Sequence, residues 1–100
     1  VDEEQFGPVL PIIKFSDPEE ALARVNRTPE GLGGSVWAAD IEAAHALAVR
    51  LDAGTVWINQ HADLDPGIPF SGAKQSGIGT ELGREGLEEF TQRKVVNISR

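Results

Sequence analysis

Strand-like and helix-like stretches alternate along the first 58 residues, and that order constrains the fold more than any other feature. Val9-Leu10-Pro11-Ile12-Ile13 is β-branched, although Pro11 marks it as an edge or irregular strand. Asp17-Pro18-Glu19-Glu20 then starts a helix: Asp17 as N-cap, Pro18 in the first turn, Glu20 completing a pattern like a capping box. Ala21, Leu22 and Val25 form its apolar stripe, and Pro29 and Gly31 close it. Gly34 to Ala38 reads as a second strand. Asp40 caps a second helix whose Ile41, Ala44, Ala48 and Leu51 fall on one face, with Arg50 in the last turn and Gly54 as a left-handed terminator. Thr55 to Ile58 is a third strand. A polar loop runs from Gln60 to Gly79, Thr80 caps a helix over Glu81 to Gln92, and Val95 to Ile98 is a last strand. Strands alternating with helices predict βαβ units, parallel strands and right-handed crossovers. With no repeat and no linker, the expectation is a single α/β unit cut from a larger protein.

Size and charge narrow the function. A chain of 100 residues buries only about 60–65% of its unfolded surface. The formal charge is −7, and the densest basic spot is the pair Arg93-Lys94. Phosphate backbones need clustered Lys and Arg, so no nucleic acid and no anionic membrane surface is expected as a partner. Every apolar run is interrupted by Gly, Pro or charge, too soon to cross a bilayer. Zero cysteines exclude a thiol nucleophile, a disulfide or a zinc–cysteine site within this span. With no secretory signal in view, the expected location is cytoplasmic; Val1-Asp2-Glu3 does not look like a natural start, so targeting segments would lie upstream. The triplets at Asn26 and Asn97 are read as chance glycosylation matches.

Taken alone, most chemistry-bearing residues have plain explanations. Gly77-x-Gly79 precedes a helix, but the third position of a dinucleotide fingerprint is Leu82 and no strand leads into the turn. Gly83 and Gly86, inside the third helix and on a face with Leu87 and Phe90, allow another backbone to approach. His45 belongs to the second helix. His61-x-Asp63-x-Asp65 is an incomplete metal-ligand set, so no metal is expected. No Gly-x-Ser-x-Gly elbow supports a serine nucleophile. Trp37 and Trp57 are expected in the core, each indole N–H needing an acceptor.

A series of longer words carries more. Glu3-Glu4-Gln5-Phe6-Gly7-Pro8-Val9, Gly31 to Trp37, Ala53-Gly54-Thr55-Val56-Trp57-Ile58-Asn59, Pro69-Phe70-Ser71-Gly72, Lys74-x-Ser76-Gly77 and Glu81-x-Gly83 resemble the C-terminal part of NAD(P)-dependent aldehyde dehydrogenases, in order and spacing. The resemblance spans nearly the whole chain. It implies parallel βαβ units of the aldehyde dehydrogenase catalytic domain (three-layer αβα) over residues 1–92, and an oligomerisation arm strand over 93–100. In that family an upstream cysteine attacks the aldehyde, hydride passes to the nicotinamide, and an upstream glutamate activates the water that releases the acid. The resemblance therefore implies NAD or NADP as cofactor, a small aldehyde as substrate, and a homo-dimer or homo-tetramer joined through the last strand. It places Glu4 on the nicotinamide ribose, Phe6 at the nicotinamide end, and His61, Leu64 and Phe70 along the substrate tunnel. A carboxylate suits the first role because it accepts from two adjacent hydroxyls at once. Ser71 departs from the family's usual glycine, and Gln5 from an apolar residue. Lacking the nucleophile, this piece is expected to be inactive alone. The competing readings are a non-catalytic oligomerisation or binding module that kept the fold, and an unrelated small α/β domain; an upstream cysteine would separate enzyme from module.

Overall fold

Asp17 opens the first helix as its side chain dictates. Its Oδ1 accepts from the Glu19 amide at 3.0 Å, Pro18 occupies the first turn, and α1 runs Pro18–Val25. Helix α1 ends at Asn26, ahead of Pro29. The Asn26 side chain then joins α1 to the next turn of chain, donating to the Arg50 carbonyl at 2.8 Å and accepting from the Asp52 amide at 2.9 Å. The computed structural model describes residues 3–100; Val1 and Asp2 lie outside the described residues.

Two short strands follow, β1 (Glu30–Gly31) and β2 (Gly33–Val36), then α2 (Ile41–Ala48) and β3 (Thr55–Ile58). Strands β2 and β3 are parallel, in register from Gly33 opposite Thr55 to Val36 opposite Ile58. With α2 as the crossover they form the expected βαβ unit. Asp40 caps α2 by accepting from the Glu42 and Ala43 amides at 3.0 and 3.1 Å. The buried apolar residues are Leu22 of α1, Ala44 and Ala48 of α2, and Trp57 of β3, with α2 packed against β3. The small alanine side chains allow close helix–sheet approach, but they bury little area.

The rest of the chain forms small antiparallel pairs. Strand β4 (Phe70–Ser71) pairs with β6 (Thr80–Glu81), and β5 (Ala73–Lys74) pairs back to β1. The stretch expected as one loop from Gln60 to Gly79 therefore contains strands. The third helix, α3, is shorter than its pattern predicts, Gly83–Glu88. Thr80 does not cap it: Thr80 is paired in β6, and the residue before the helix is Leu82, with φ of 61° and no side-chain cap.

Other expectations are corrected as well. Residues 9–13 form no strand; Leu10 and Ile12 are 84% and 91% exposed, Pro11 has no N–H to give, and no described strand lies alongside. Residues 95–98 pair with nothing among the described residues. Helix α2 ends at Ala48 and tapers through tighter bonds, Arg50 to Leu47 and Leu51 to Ala48, so Arg50 lies past the helix and Gly54 is too distant to terminate it. Gly54 is not left-handed. It is required because a Cβ there would overlap the Ser71 carbonyl. Trp37 is 65% exposed, its indole donating to Ser35 Oγ at 3.2 Å, so only Trp57 joins the core.

The described residues before α1 and after α3 form no helix or strand and are largely exposed. The radius of gyration is 17.8 Å, against about 13 Å for a compact domain of this length.

Candidate functional site

Parallel strands β2 and β3 end together at Val36 and Ile58, and ligands of open α/β sheets gather outside such carboxyl ends. The chain leaving β3 is clamped there. Asn59 adopts φ of 54°, donates from Nδ2 to the Ala38 carbonyl and accepts from the Ala38 amide, both at 2.9 Å. Its side chain thus extends the β2–β3 pairing by one step and sets where the following loop begins.

That loop wraps Trp57. The indole is 8% exposed and donates from Nε1 to the Asp63 carbonyl at 2.8 Å. His61 packs edge-on to it, ring centroids 5.5 Å apart and planes at 67°. Further on, Asp65 Oδ1 accepts from the Gly67 amide at 2.7 Å, and the Pro66 carbonyl accepts from Gly83 N at 2.9 Å. Gly83 has φ of 60°, and a Cβ on it would crowd the Pro69 ring at 3.0 Å. Each end and the middle of the loop are therefore held from outside. His61 and Leu64 emerge exposed on it, Leu64 at 50%.

Phe70 lies half-buried on β4, facing a hollow of about 280 Å³ that it shares with Leu32, Ile78 and Phe90. Trp57 brings His61 and Leu64 to one place, whereas Phe70 faces this separate hollow. Glu4 borders another, of about 300 Å³, with Gly31, Gly34 and Ser35. Leu32 and Ser76 line both and form the ridge between them. Phe6 is 95% exposed and lies outside the lining of either.

The ridge is tied down by residues whose sequence words were noticed but whose roles were not. Ser76 Oγ accepts from the Gly31 amide at 2.8 Å. Lys74 Nζ donates to the Asn26 and Thr28 carbonyls at 3.0 and 3.1 Å and lies 3.3 Å from Asp52 Oδ2. The signal for both was the word Lys74-x-Ser76-Gly77; its glycine has φ of 148°, and Gly79 has φ of 92°.

Nothing satisfies Glu4 locally: among the described residues its carboxylate takes part in no hydrogen bond or ion pair. An exposed carboxylate at the mouth of a hollow suits a ligand carrying adjacent hydroxyls, such as a ribose. Among the described residues no group of three or more His, Cys, Asp or Glu is placed to hold a metal. The perturbed titrating pair lies elsewhere. Arg50 donates to both Glu19 oxygens, at 2.8 and 2.5 Å; this bonding holds the Glu19 carboxyl below the usual carboxylate range and raises Arg50.

Known proteins similar to this chain come from one family. Residues 1–96 match the aldehyde dehydrogenase family. Betaine aldehyde dehydrogenase of Bacillus subtilis is 50% identical over 96 residues, which are 96% of this chain and 20% of that protein. Aldehyde dehydrogenase (NAD(P)+) 1 of Saccharomyces cerevisiae is 43% identical over 99 residues, 99% of this chain and 20% of that one. An NAD+ complex of aldehyde dehydrogenase from Bacillus cereus superposes with a TM-score of 0.87 at 44% identity, over 91% of this chain and 18% of its own. The chain spans about a fifth of the length of the curated relatives it matches.

Proposed function

Because the chain belongs to the aldehyde dehydrogenase family, we propose that it is the C-terminal portion of an enzyme that oxidises an aldehyde to a carboxylic acid with NAD or NADP. The observation that carries this reading is the family match over residues 1–96, with the family's words in order along it. The chain itself holds no cysteine, so the thiol nucleophile comes from the rest of the parent, where the family resemblance also puts the glutamate base. What it contributes is placement.

The cofactor, when bound, takes up the hydride. Glu4 accepts from the hydroxyls of its nicotinamide ribose, and its exposed place beside the Gly31–Ser35 hollow supports that role. Phe6 limits the swing of the nicotinamide end once the parent's remaining segments fold over it. His61, Leu64 and Phe70 line the aldehyde's approach. The shared ridge of Leu32 and Ser76 supports putting the two ligands side by side, and holding reactants at near-attack separation lowers the barrier by avoiding entropy loss at the transition state. Residues 1–92 belong to the parent's three-layer αβα catalytic domain. Residues 93–100 form the arm through which the parent assembles as a homo-dimer or homo-tetramer in the cytoplasm. No helix among the described residues is long and apolar enough to cross a membrane.

The test compares the parent polypeptide with this 100-residue piece. Each receives aliphatic and aromatic aldehydes with NAD+ or NADP+ while reduced nicotinamide is followed by absorbance. Turnover by the parent and none by the piece is the expected result. A parent inactive across the panel would refute the proposal and leave a binding module.

A further inference from the structure

Trp57 meets the loop that carries two of the three side chains assigned to the aldehyde tunnel, through a hydrogen bond to the peptide unit before Leu64 and through a ring contact with His61. Its Nε1 donates to the Asp63 carbonyl at 2.8 Å. That carbonyl belongs to the peptide unit that also contains Leu64 N, and a peptide unit is planar. Fixing the oxygen therefore fixes the plane from which Leu64 departs. The same indole meets the His61 ring at a centroid separation of 5.5 Å and 67°, the T-shaped arrangement that aromatic pairs favour.

The indole itself has little freedom. It is 8% exposed, and its strand is in register with β2. Gly33 leaves space for it: a Cβ there would come within 2.8 Å of Cζ3. A rigid bicyclic donor, seated on the sheet by a glycine, carries a loop whose own residues are exposed from Asn59 to Pro69. Phe70, in contrast, is held by the β4–β6 pairing and does not depend on the indole.

From this geometry we propose that Trp57 is a specificity-positioning residue: its indole N–H sets the position of Leu64, and its ring that of His61, so that the length of aldehyde accepted is determined from the sheet beneath the tunnel. The inference rests on the aldehyde-oxidising reading given above. Trp57 touches no reactant, and its effect falls on binding of the substrate's far end and not on hydride transfer.

The experiment uses the full-length parent and a series of straight-chain aldehydes. Trp57→Phe removes the N–H and shrinks the ring; where that variant fails to fold, replacement of Trp57 by its benzothienyl isostere deletes the N–H and keeps the shape. Losing the hydrogen bond is expected to raise KM for long aldehydes roughly 3- to 10-fold, with kcat, KM for the shortest aldehyde and KM for the cofactor unchanged. Asp63→Ala, which keeps the accepting carbonyl, leaves the length preference as it was. A donor-deleted enzyme with unaltered length preference overturns the inference, as does a uniform fall in kcat across the series. A wild-type parent that oxidises no aldehyde overturns the function reading itself, and is recognised because it precedes any comparison of variants.

Discussion

Replacing Gly54 by alanine tests whether the fold depends on two backbones in contact. Gly54 begins the run into β3 and donates its amide to the Gly31 carbonyl at 2.9 Å. A Cβ there would overlap the Ser71 carbonyl oxygen, sit 2.6 Å from the Ser71 carbonyl carbon and 3.1 Å from Gly72 Cα. All three are backbone atoms, so no rotamer change relieves the overlap; either β4 or the start of β3 must move. Overpacking of this kind costs about 1–3 kcal/mol, and a shift that breaks the Gly54–Gly31 bond adds about 1 kcal/mol. The working figure is about 3 kcal/mol, or roughly 140-fold in the opening equilibrium. The assay is hydrogen exchange of the peptide covering β3, followed by mass spectrometry in the parent protein, where local opening is read without assuming two-state unfolding. Gly67→Ala is the control. Its nearest neighbour would be Asp65 Oδ1 at 3.2 Å, the mobile end of a side chain, so exchange should change by no more than about 0.5 kcal/mol. If Gly54→Ala accelerates exchange in β3 less than about fivefold, the backbones separate cheaply and the reasoning fails.

Three further predictions follow from named contacts. Glu4→Gln in the parent weakens the hold on the ribose by about 1.5–3 kcal/mol, slowing hydride transfer roughly 10- to 150-fold in single-turnover kinetics; unchanged kinetics would retire the assignment. Hydrogen bonding from Arg50 lowers the Glu19 carboxyl in the folded state, so the stability that this pair contributes is fully present above the ordinary carboxylate range and is lost as pH falls through the lowered folded value. Wild type and Glu19→Gln should therefore converge in urea stability at acid pH and diverge toward neutrality. Deleting residues 95–100, where Val95 and Ile98 are 90% and 80% exposed, should lower the parent's oligomeric state in light scattering; an unchanged assembly would remove the arm's role.

The parts of the fold that were legible in the sequence are those decided within a few residues. Asp17 and Asp40 cap because a short carboxylate reaches the amides two or three positions on, wherever the helix sits. Thr55 to Ile58 is β-branched on both sides of Trp57 and forms the predicted strand. The misreadings share a different cause. Val9–Ile13 has strand composition, but a strand exists only beside a partner, and no described strand lies alongside it. Thr80 has a cap's chemistry, yet pairing of β6 with β4 takes it first. Gly54 and Gly79 are alike in sequence and opposite in function: Gly79 has φ of 92° and open space around it, while Gly54 has ordinary φ and a carbonyl against it. Composition cannot separate a glycine needed for conformation from one needed for contact. The site shows the same division. The words naming Glu4, Phe70 and the Lys74–Gly77 turn were readable, but the bond from Gly31 to Ser76 joins positions 45 residues apart, and only folding brings them together.

That long-range bond explains why a chain with four buried core residues can still define a site. The two hollows meet at Leu32 and Ser76, and Ser76 is fastened to the β1 backbone while Lys74 fastens the same turn to the end of α1. A displacement of the turn must therefore move the floor beneath Glu4 and the wall beside Phe70 together. Coupling of this kind needs no large core, because it runs through three hydrogen bonds to backbone groups, each worth about 1 kcal/mol. It also assigns the apolar surfaces left open at Leu10 and Ile12, which line neither hollow, a purpose distinct from the site. Exposed apolar side chains grouped on one segment mark contact with other protein, so the rest of the parent would cover this flank while the Lys74–Ser76 turn keeps the ridge between the hollows in place.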